Sequence, residues 1–193
     1  MFLQRFCVVI ALVVSLIGLA YYQAWRCAWV LTTLALIYDY KVTTLLNQQT
    51  QSKYFPIFQC MWIFTCISNS LIIYVYTYNP TQVLMMIAVT QTSDVLQYLI
   101  GSHFGRNYIG YISPKKTLEG YFGSLICLYV FALLIPRSTI TVYWALGSLG
   151  GLVFSWIKRK LNIKDYSNLL GPHGGWIDRT DSLYLTIWYL LLT

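Results

Sequence analysis

The chain has 193 residues, of which 58% are hydrophobic and only 10% are charged, and its mean hydropathy is +0.59. A soluble domain typically carries about 25% charged residues, so this composition excludes a disordered chain, a disulfide scaffold and an ordinary soluble enzyme. Because a membrane-spanning helix takes about 20 apolar residues, the length predicts an all-α polytopic membrane protein with six or seven transmembrane helices. From the polar residues described below, we also expect a polar, cytoplasm-facing cavity.

Seven apolar runs follow one another along the chain. The second is interrupted by Asp39 and Lys41, so the pattern does not fix where its helix ends. The last has 11 residues, too few to cross a bilayer at about 1.5 Å per residue, which favours a helix that begins before Leu183. We expect the first run to be a retained helix rather than a signal peptide, because further spans follow it. The predicted spans are Phe6–Tyr22, Cys27–Leu46, Phe55–Tyr78, Val83–Ile100, Leu118–Ile135, Ile140–Ile157 and Leu183–Thr193.

The basic residues are distributed unevenly over the loops. The chain has 13 Lys and Arg against six Asp and Glu. With the N-terminus inside, the outer loops hold only Arg26 and Arg137, and the other 11 basic residues lie inside. This positive-inside bias predicts that the N-terminus lies in the cytoplasm. We expect the protein in the inner (cytoplasmic) membrane of the cell or its equivalent. It also places the two longest polar loops, 101–117 and 158–182, on the same cytoplasmic face.

Five of the six acidic residues lie in or beside these two loops. Carboxylates at membrane depth are costly and usually serve a function. One of them, Asp94, lies inside an apolar run, where Thr90, Asp94 and Gln97 share one helix face at i, i+4 and i+7 spacing. This polar stripe predicts the wall of a wet cavity. A polar contact between buried helices is the alternative.

The stretch from Ser155 to Asp181 combines basic residues, acidic residues and a glycine pair. If Asp178 begins the last helix, Asp178 and Asp181 project to the same side. Carboxylates without cysteine suit a hard cation such as Mg²⁺ that bridges phosphates. The basic residues that would neutralise a polyphosphate are Lys158, Arg159, Lys160, Lys164 and Arg179. Taken alone, the Lys-Arg-Lys run is typical of a membrane-flanking charge cluster.

The earlier loop contains a second candidate for phosphate binding. Lys115 and Lys116 lie just before a predicted helix, between Ser113 and Thr117. Since a helix N-terminus binds phosphate through its backbone N–H groups, the lysine pair predicts a phosphate contact there. The alternative is again a membrane-flanking charge cluster, with an N-cap at Ser113.

These blocks together resemble the phosphatidate cytidylyltransferases, also called CDP-diacylglycerol synthases, over roughly residues 90 to 185. The family's C-terminal signature, Ser-x-x-Lys-Arg-x₄-Lys-Asp followed by His-Gly-Gly and Asp-Arg-x-Asp, is matched at every fixed position from Ser155 to Asp181. Trp176 and the order Gly171-Pro172 depart from the usual pattern and affect the shape of the loop. Residues 93–106 and 113–120 look like the family's two upstream blocks, whereas residues 1–85 match only in being hydrophobic.

The resemblance implies a nucleotidyl transfer in which CTP and phosphatidic acid give CDP-diacylglycerol and pyrophosphate. We expect a single membrane domain over residues 1–193, with N-terminal spans in 1–85 and a catalytic, motif-bearing part in 86–193. The expected cofactor is Mg²⁺, with a second cation as an option. Expected partners are CTP, phosphatidic acid and membrane lipid, with a homodimer left open and no nucleic acid.

The resemblance also assigns roles to individual residues. The implied metal ligands are Asp165, Asp178 and Asp181, which form the catalytic set together with Lys164 and Arg179. The implied substrate-binding residues are Lys115, Lys116, Ser155, Lys158, Arg159, His173, Gly174, Gly175 and Asp94, the last as a cavity acid.

Two other functions remain open at this point. A CTP-dependent polyprenol kinase, or a synthase of another CDP-lipid, would use related chemistry, but the full His-Gly-Gly block argues against both. A cation-coupled transporter would use Asp94 and the Asp178/Asp181 pair as an ion path. The chain has no internal repeat, and its charged blocks lie at one face, which argues against a transporter.

Overall fold

The computed structural model describes residues 25–110, 113, 116–131, 136–171 and 174–192. Within these ranges the chain is all-helical apart from loops and one isolated backbone bridge, which confirms the predicted all-α class. The predicted first span, Phe6–Tyr22, lies outside the described residues. The described helices are α1 (Trp25–Thr50), α2 (Phe55–Tyr78), α3 (Pro80–Phe104), α4 (Leu118–Phe131), α5 (Arg137–Lys160) and α6 (Ile177–Leu192).

Three of these helices are long and apolar enough to cross a membrane. They are α2, α3 and α5, with 24, 25 and 24 residues. The apolar part of α4 is shorter, but it exposes Phe122, Ile126 and Val130, each more than 60% accessible, along one side. Side chains at this i, i+4, i+8 spacing form a continuous apolar stripe. Such a stripe suits contact with lipid, and the chain is therefore a membrane protein.

The bounds of α2 equal the predicted ones, whereas α1, α3 and α5 extend beyond the predicted spans by two to four residues at each end. The chain turns between α2 and α3 within one residue, Asn79, whose N–H donates to the Val75 carbonyl at 2.8 Å. The last helix begins at Ile177, which confirms that it starts before Leu183 and places Asp178 in its first turn. By contrast, α1 continues past Asp39, which is fully buried, and ends only at Thr50.

Buried apolar residues form two clusters that run through the bundle. One contains residues from each of the helices α2, α3, α4, α5 and α6, including Val75 on α2 and Ile187 on α6. The other joins α1, α2, α5 and α6 to the loop after α5. Tyr166 of that loop lies inside the second cluster, where its ring stacks 5.6 Å from Phe58 and its hydroxyl donates to the Phe154 carbonyl at 2.9 Å. Tyr166 thus anchors the loop in the core, while Lys164 and Asn168 of the same loop are exposed.

Glycines allow the helices that carry the signature blocks to pack closely. A Cβ on Gly120 of α4 would lie 2.6 Å from the Gln97 carbonyl oxygen of α3. A Cβ on Gly150 of α5 would lie 2.7 Å from the Asp181 carbonyl oxygen of α6. Because no side chain fits at either crossing, glycine permits the close approach. The loops 105–117 and 161–176 therefore meet at the same end of the bundle.

Candidate functional site

Five charged side chains interact at the end of the bundle where the two loops meet. Asp94 comes from α3, Lys116 from the residues just before α4, and Lys158 from the last turn of α5. The other two come from the start of α6. We call this group the polar cluster: Asp94, Lys116, Lys158, Asp178 and Asp181.

Asp178 and Lys158 form the more buried ion pair of the cluster. The Lys158 Nζ lies 2.7 Å from Asp178 Oδ1, and the two side chains are 11% and 4% exposed. The other oxygen, Oδ2, accepts the backbone N–H groups of Tyr166 and Gly175, each at 2.9 Å. A carboxylate in the first turn of α6 also interacts favourably with the helix dipole. Asp178 thus fixes the loop as well as the lysine.

Lys116 is held more loosely than Lys158. Its Nζ lies 3.3 Å from Asp94 Oδ1 and 3.2 Å from Gln97 Oε1, and the side chains of Lys116 and Asp94 are 28% and 32% exposed. Burial alone would lower the pKa of Lys116, but nearby charges, with Asp94 foremost, raise that pKa above its ordinary value. The ammonium therefore stays charged at neutral pH. With long hydrogen bonds and partial exposure, it can turn towards an incoming anion.

The predicted polar stripe on α3 divides between two roles. Asp94 and Gln97 meet at Lys116, and Gln97 also donates to Ser148 Oγ of α5 at 3.0 Å. Thr90 is buried against α5, where a Cβ on Gly147 would lie 3.2 Å from its methyl group. One end of the stripe belongs to the site, and the other end packs helices together.

Asp181 lies at the centre of the polar cluster. The charges of Asp94, Lys158, Lys116 and Asp178 all act on its carboxylate. Its Oδ1 accepts the N–H of Ser182 at 2.8 Å. A Cβ on Gly151 would lie 3.4 Å from Lys116 Nζ and 3.8 Å from Asp181 Oδ2. The bare backbone of α5 at Gly151 therefore leaves space beside both charged groups.

The predicted metal ligands do not come together as a set of three. The described residues contain no group of three or more His, Cys, Asp or Glu side chains that could hold a metal ion. Asp178 already has both oxygens engaged by a lysine and two backbone N–H groups. Mg²⁺ usually needs only one or two carboxylates besides substrate phosphates, and Asp181 and Asp94 fit that smaller demand. The magnesium requirement stays a prediction.

The glycine pair shapes the backbone around Asp178. Gly174 has φ +83°, in the left-handed region, and a Cβ there would lie 3.0 Å from Asp178 Oδ2. Gly175 donates its N–H to the same oxygen. Gly175 therefore holds the carboxylate through its backbone N–H, and Gly174 leaves room for that carboxylate. The preceding His173 lies outside the described residues.

The remaining predicted residues have more peripheral positions. Arg159 donates to the Ile163 carbonyl at 3.2 Å and so fastens the start of the loop. Ser155 and Asp165 are half-buried, whereas Lys164 and Arg179 are exposed. Lys115 lies outside the described residues.

One acid not predicted as a site residue, Asp39, contacts the loop after α5 and the first residue of α6. Asp39 of α1 is 0% exposed, accepts the Ser167 hydroxyl at 2.5 Å and accepts the Ile177 N–H at 2.8 Å. The sequence feature that could have pointed to Asp39 is its position inside an apolar run, where a carboxylate is costly and usually serves a function. It lies outside both polar loops, and no function was predicted for it.

The fold and the polar cluster define an all-α membrane protein with a charged site at one end of its helices. The family follows from comparison with known proteins. Residues 1–193 match the model of the Cytidylyltransferase family, and the chain belongs to that family.

Curated relatives are similar over about half to two thirds of the chain. The chain is 38% identical over 110 residues to the phosphatidate cytidylyltransferase of Aquifex aeolicus, covering 52% of this chain and 42% of the relative. It is 36% identical over 140 residues to that of Mycobacterium tuberculosis H37Rv, covering 66% and 42%. A match of 39% over 116 residues to the uncharacterized protein YnbB of Escherichia coli K12 covers 54% and 39%. The chain thus spans about two fifths of the length of these relatives.

Proposed function

We propose that the chain transfers a cytidylyl group from CTP to phosphatidic acid, giving CDP-diacylglycerol and pyrophosphate. The observation that carries the proposal is the convergence of Lys116 and Lys158, from separate signature blocks, with three carboxylates at one end of the bundle. Family membership and relatives named phosphatidate cytidylyltransferase support this choice over other phosphate chemistry.

The proposed reaction needs no nucleophile from the protein. An oxygen of the phosphatidate phosphate attacks the α-phosphorus of CTP, the bond from that phosphorus to the α–β bridging oxygen breaks, and pyrophosphate leaves with the bonding electrons. The attacking oxygen is already anionic because the second pKa of a phosphomonoester is about 6. The protein has to align two polyanions and neutralise the charge that develops on them.

The two lysines of the polar cluster suit different parts of this task. Lys116 is loosely bound and partly exposed, so it is the better candidate to leave Asp94 and bind a substrate phosphate. Lys158 is fixed by Asp178, so it offers a charge at a constant position. When present, Mg²⁺ would supply charge neutralisation at the phosphates, and Asp181 and Asp94 are the residues that would hold it.

The position of the label in the product tests the proposed reaction. The purified protein is incubated with phosphatidic acid in detergent micelles and with CTP labelled either at the α- or at the γ-phosphate. Cytidylyl transfer moves the α-label into lipid and releases the γ-label as pyrophosphate. A kinase would do the reverse, with γ-label in lipid and CDP released, and this result would overturn the proposal. Omission of Mg²⁺ from the same assay tests the cofactor.

We further propose that the loops 101–117 and 158–182 face the cytoplasm, because their described residues meet at one end of the bundle and the two loops hold eight of the 13 basic residues. We expect a membrane-impermeant thiol reagent applied to intact cells to spare cysteines at Tyr108 and Asn168 and to label one at Ser138. All three positions are exposed, and Ser138 lies at the opposite end of α5. The native cysteines are replaced first. Labelling of either loop position from outside would contradict this orientation.

A further inference from the structure

The N-terminal half of the chain contacts the signature loop through two buried polar side chains of α1. Asp39 accepts hydrogen bonds from the Ser167 hydroxyl at 2.5 Å and the Ile177 N–H at 2.8 Å. One helical turn later, the Thr43 hydroxyl donates to the Tyr166 carbonyl at 2.9 Å. Asp39 and Thr43 are 0% and 1% exposed. These contacts join residues more than 120 positions apart.

The same loop residues hold Asp178 from the other side. Tyr166 offers its carbonyl to Thr43 and its N–H to Asp178 Oδ2. Gly175 donates its N–H to that oxygen at 2.9 Å, and a Cβ on Gly175 would lie 2.7 Å from Asp39 Oδ2. The backbone of the loop is therefore confined between α1 and the carboxylate that fixes Lys158.

Because Asp39 is buried, its carboxylate needs well-placed hydrogen-bond donors. An uncompensated carboxylate at zero exposure is strongly unfavourable. Its donors include the Ser167 hydroxyl and the first N–H group of α6, an end of the helix that also favours negative charge. Asp39 therefore places the start of α6, the segment that carries Asp178 and Asp181.

We propose that Asp39 and Thr43 are positioning residues for the nucleotidyl transfer, acting through the loop 161–176 on the Lys158–Asp178 pair. The role in turnover rests on the proposed function, whereas the hold on the loop does not. Loss of either contact lets the loop move, so that Lys158 and Asp178 are correctly placed for a smaller fraction of the time. A site of phosphoryl chemistry is sensitive to such misplacement.

Two adjacent threonines provide a matched pair of variants. Thr43→Val removes the bond to the loop, whereas Thr44→Val removes a bond from Thr44 to the Tyr40 carbonyl within α1 itself, at 2.7 Å. Asp39→Ala removes both acceptors. Asp39→Asn keeps the shape and one acceptor oxygen for the Ile177 N–H, while its amide can donate to the Ser167 hydroxyl. It is therefore the conservative variant that should restore part of the function.

Hydrogen–deuterium exchange and steady-state turnover are measured on the full chain in detergent. We expect Asp39→Ala and Thr43→Val to speed amide exchange in residues 161–177 while exchange in α3 and α4 is unchanged. Turnover should fall roughly tenfold in Asp39→Ala and about fivefold in Thr43→Val, as expected for the loss of buried hydrogen bonds. Asp39→Asn should lie between wild type and Asp39→Ala in both measurements, and Thr44→Val should match wild type.

Three results would overturn the positioning role: equal behaviour of Thr43→Val and Thr44→Val, faster exchange in every helix of Asp39→Ala, or faster loop exchange with unchanged turnover. The first result would mean that Thr43 does not hold the loop in place. The second would mean that Asp39→Ala destabilises the whole protein. The third would mean that the position of the loop does not affect the reaction. Exchange is measured without substrate. A wild-type protein that transfers no cytidylyl group would therefore overturn the proposed function, while the exchange data still decide whether α1 holds the loop.

Discussion

Asp178→Asn should lower turnover by at least about a hundredfold, because it removes one partner of a buried ion pair. Removing one member of such a pair costs about 3–5 kcal/mol of folding stability, and the expected loss of turnover follows because Lys158 is no longer held in place. In the structure, Oδ2 takes two backbone N–H groups and Oδ1 takes the Lys158 ammonium. Asparagine can keep one oxygen for the backbone, but its NH₂ group then faces the ammonium. Lys158 would lose its partner and its fixed position.

Asp165→Asn is the matched control for this prediction, because it makes the same chemical change at another acid of the same signature block. If the three acids Asp165, Asp178 and Asp181 formed one metal cluster, both variants would lose activity alike, and excess Mg²⁺ would restore part of it. The structure instead leads us to expect a mild effect at Asp165, which is half-buried and outside the polar cluster. Near-normal turnover of Asp178→Asn would contradict the role assigned to the ion pair.

A double variant separates the contribution of the pair to stability from its contribution to the reaction. Lys158→Met combined with Asp178→Asn removes the unpaired buried charge, so thermal stability in detergent should recover relative to Asp178→Asn alone. Turnover should stay low, because the fixed cation is gone. Recovery of turnover together with stability would show that the pair only supports the fold.

The helices and the signature blocks were predictable because they are local properties of the sequence. Apolar runs of about 20 residues predict spans, and α2 has the predicted bounds, Phe55–Tyr78. The start of α6 before Leu183 also followed from length alone. The family resemblance from Ser155 to Asp181 predicted Lys158 and Asp178 as site residues, although it could not show that they form an ion pair.

The partners of these residues depend on tertiary packing and were not predictable. The local sequence pattern predicted no contact between α1 and the site. It indicated only that Asp39 interrupts an apolar run. Its role follows from the approach of α1 to a loop more than 120 residues away. In the same way, the three acids of the signature suggested one metal cluster. In the structure, two backbone N–H groups and Lys158 contact Asp178, contacts that the spacing did not predict, and the metal cluster stays a prediction.

Lys116→Gln should weaken substrate binding more than it slows the reaction. Its ammonium makes two long hydrogen bonds, 3.3 Å to Asp94 and 3.2 Å to Gln97, and can exchange them for a substrate phosphate. A hydrogen bond to a charged group contributes about 1.5–3 kcal/mol, so kcat/KM should fall by roughly tenfold to a hundredfold. If the contact is alike in the ground and transition states, the loss appears in KM while kcat is largely kept.

Steady-state kinetics over a range of CTP and phosphatidic acid concentrations distinguish these outcomes, and Lys164→Gln provides the control. That variant removes a lysine of the same signature from an exposed position, where solvent and salt screen its charge. We expect less than about a fivefold change in kcat/KM there, since exposed charge pairs contribute about 0–1 kcal/mol. A large loss of kcat in Lys116→Gln at unchanged KM would mean that Lys116 stabilises the transition state, as a fixed cation does. Lys116 would then have the same role as Lys158. The proposal that Lys116 binds substrate while Lys158 supplies a fixed charge would be wrong.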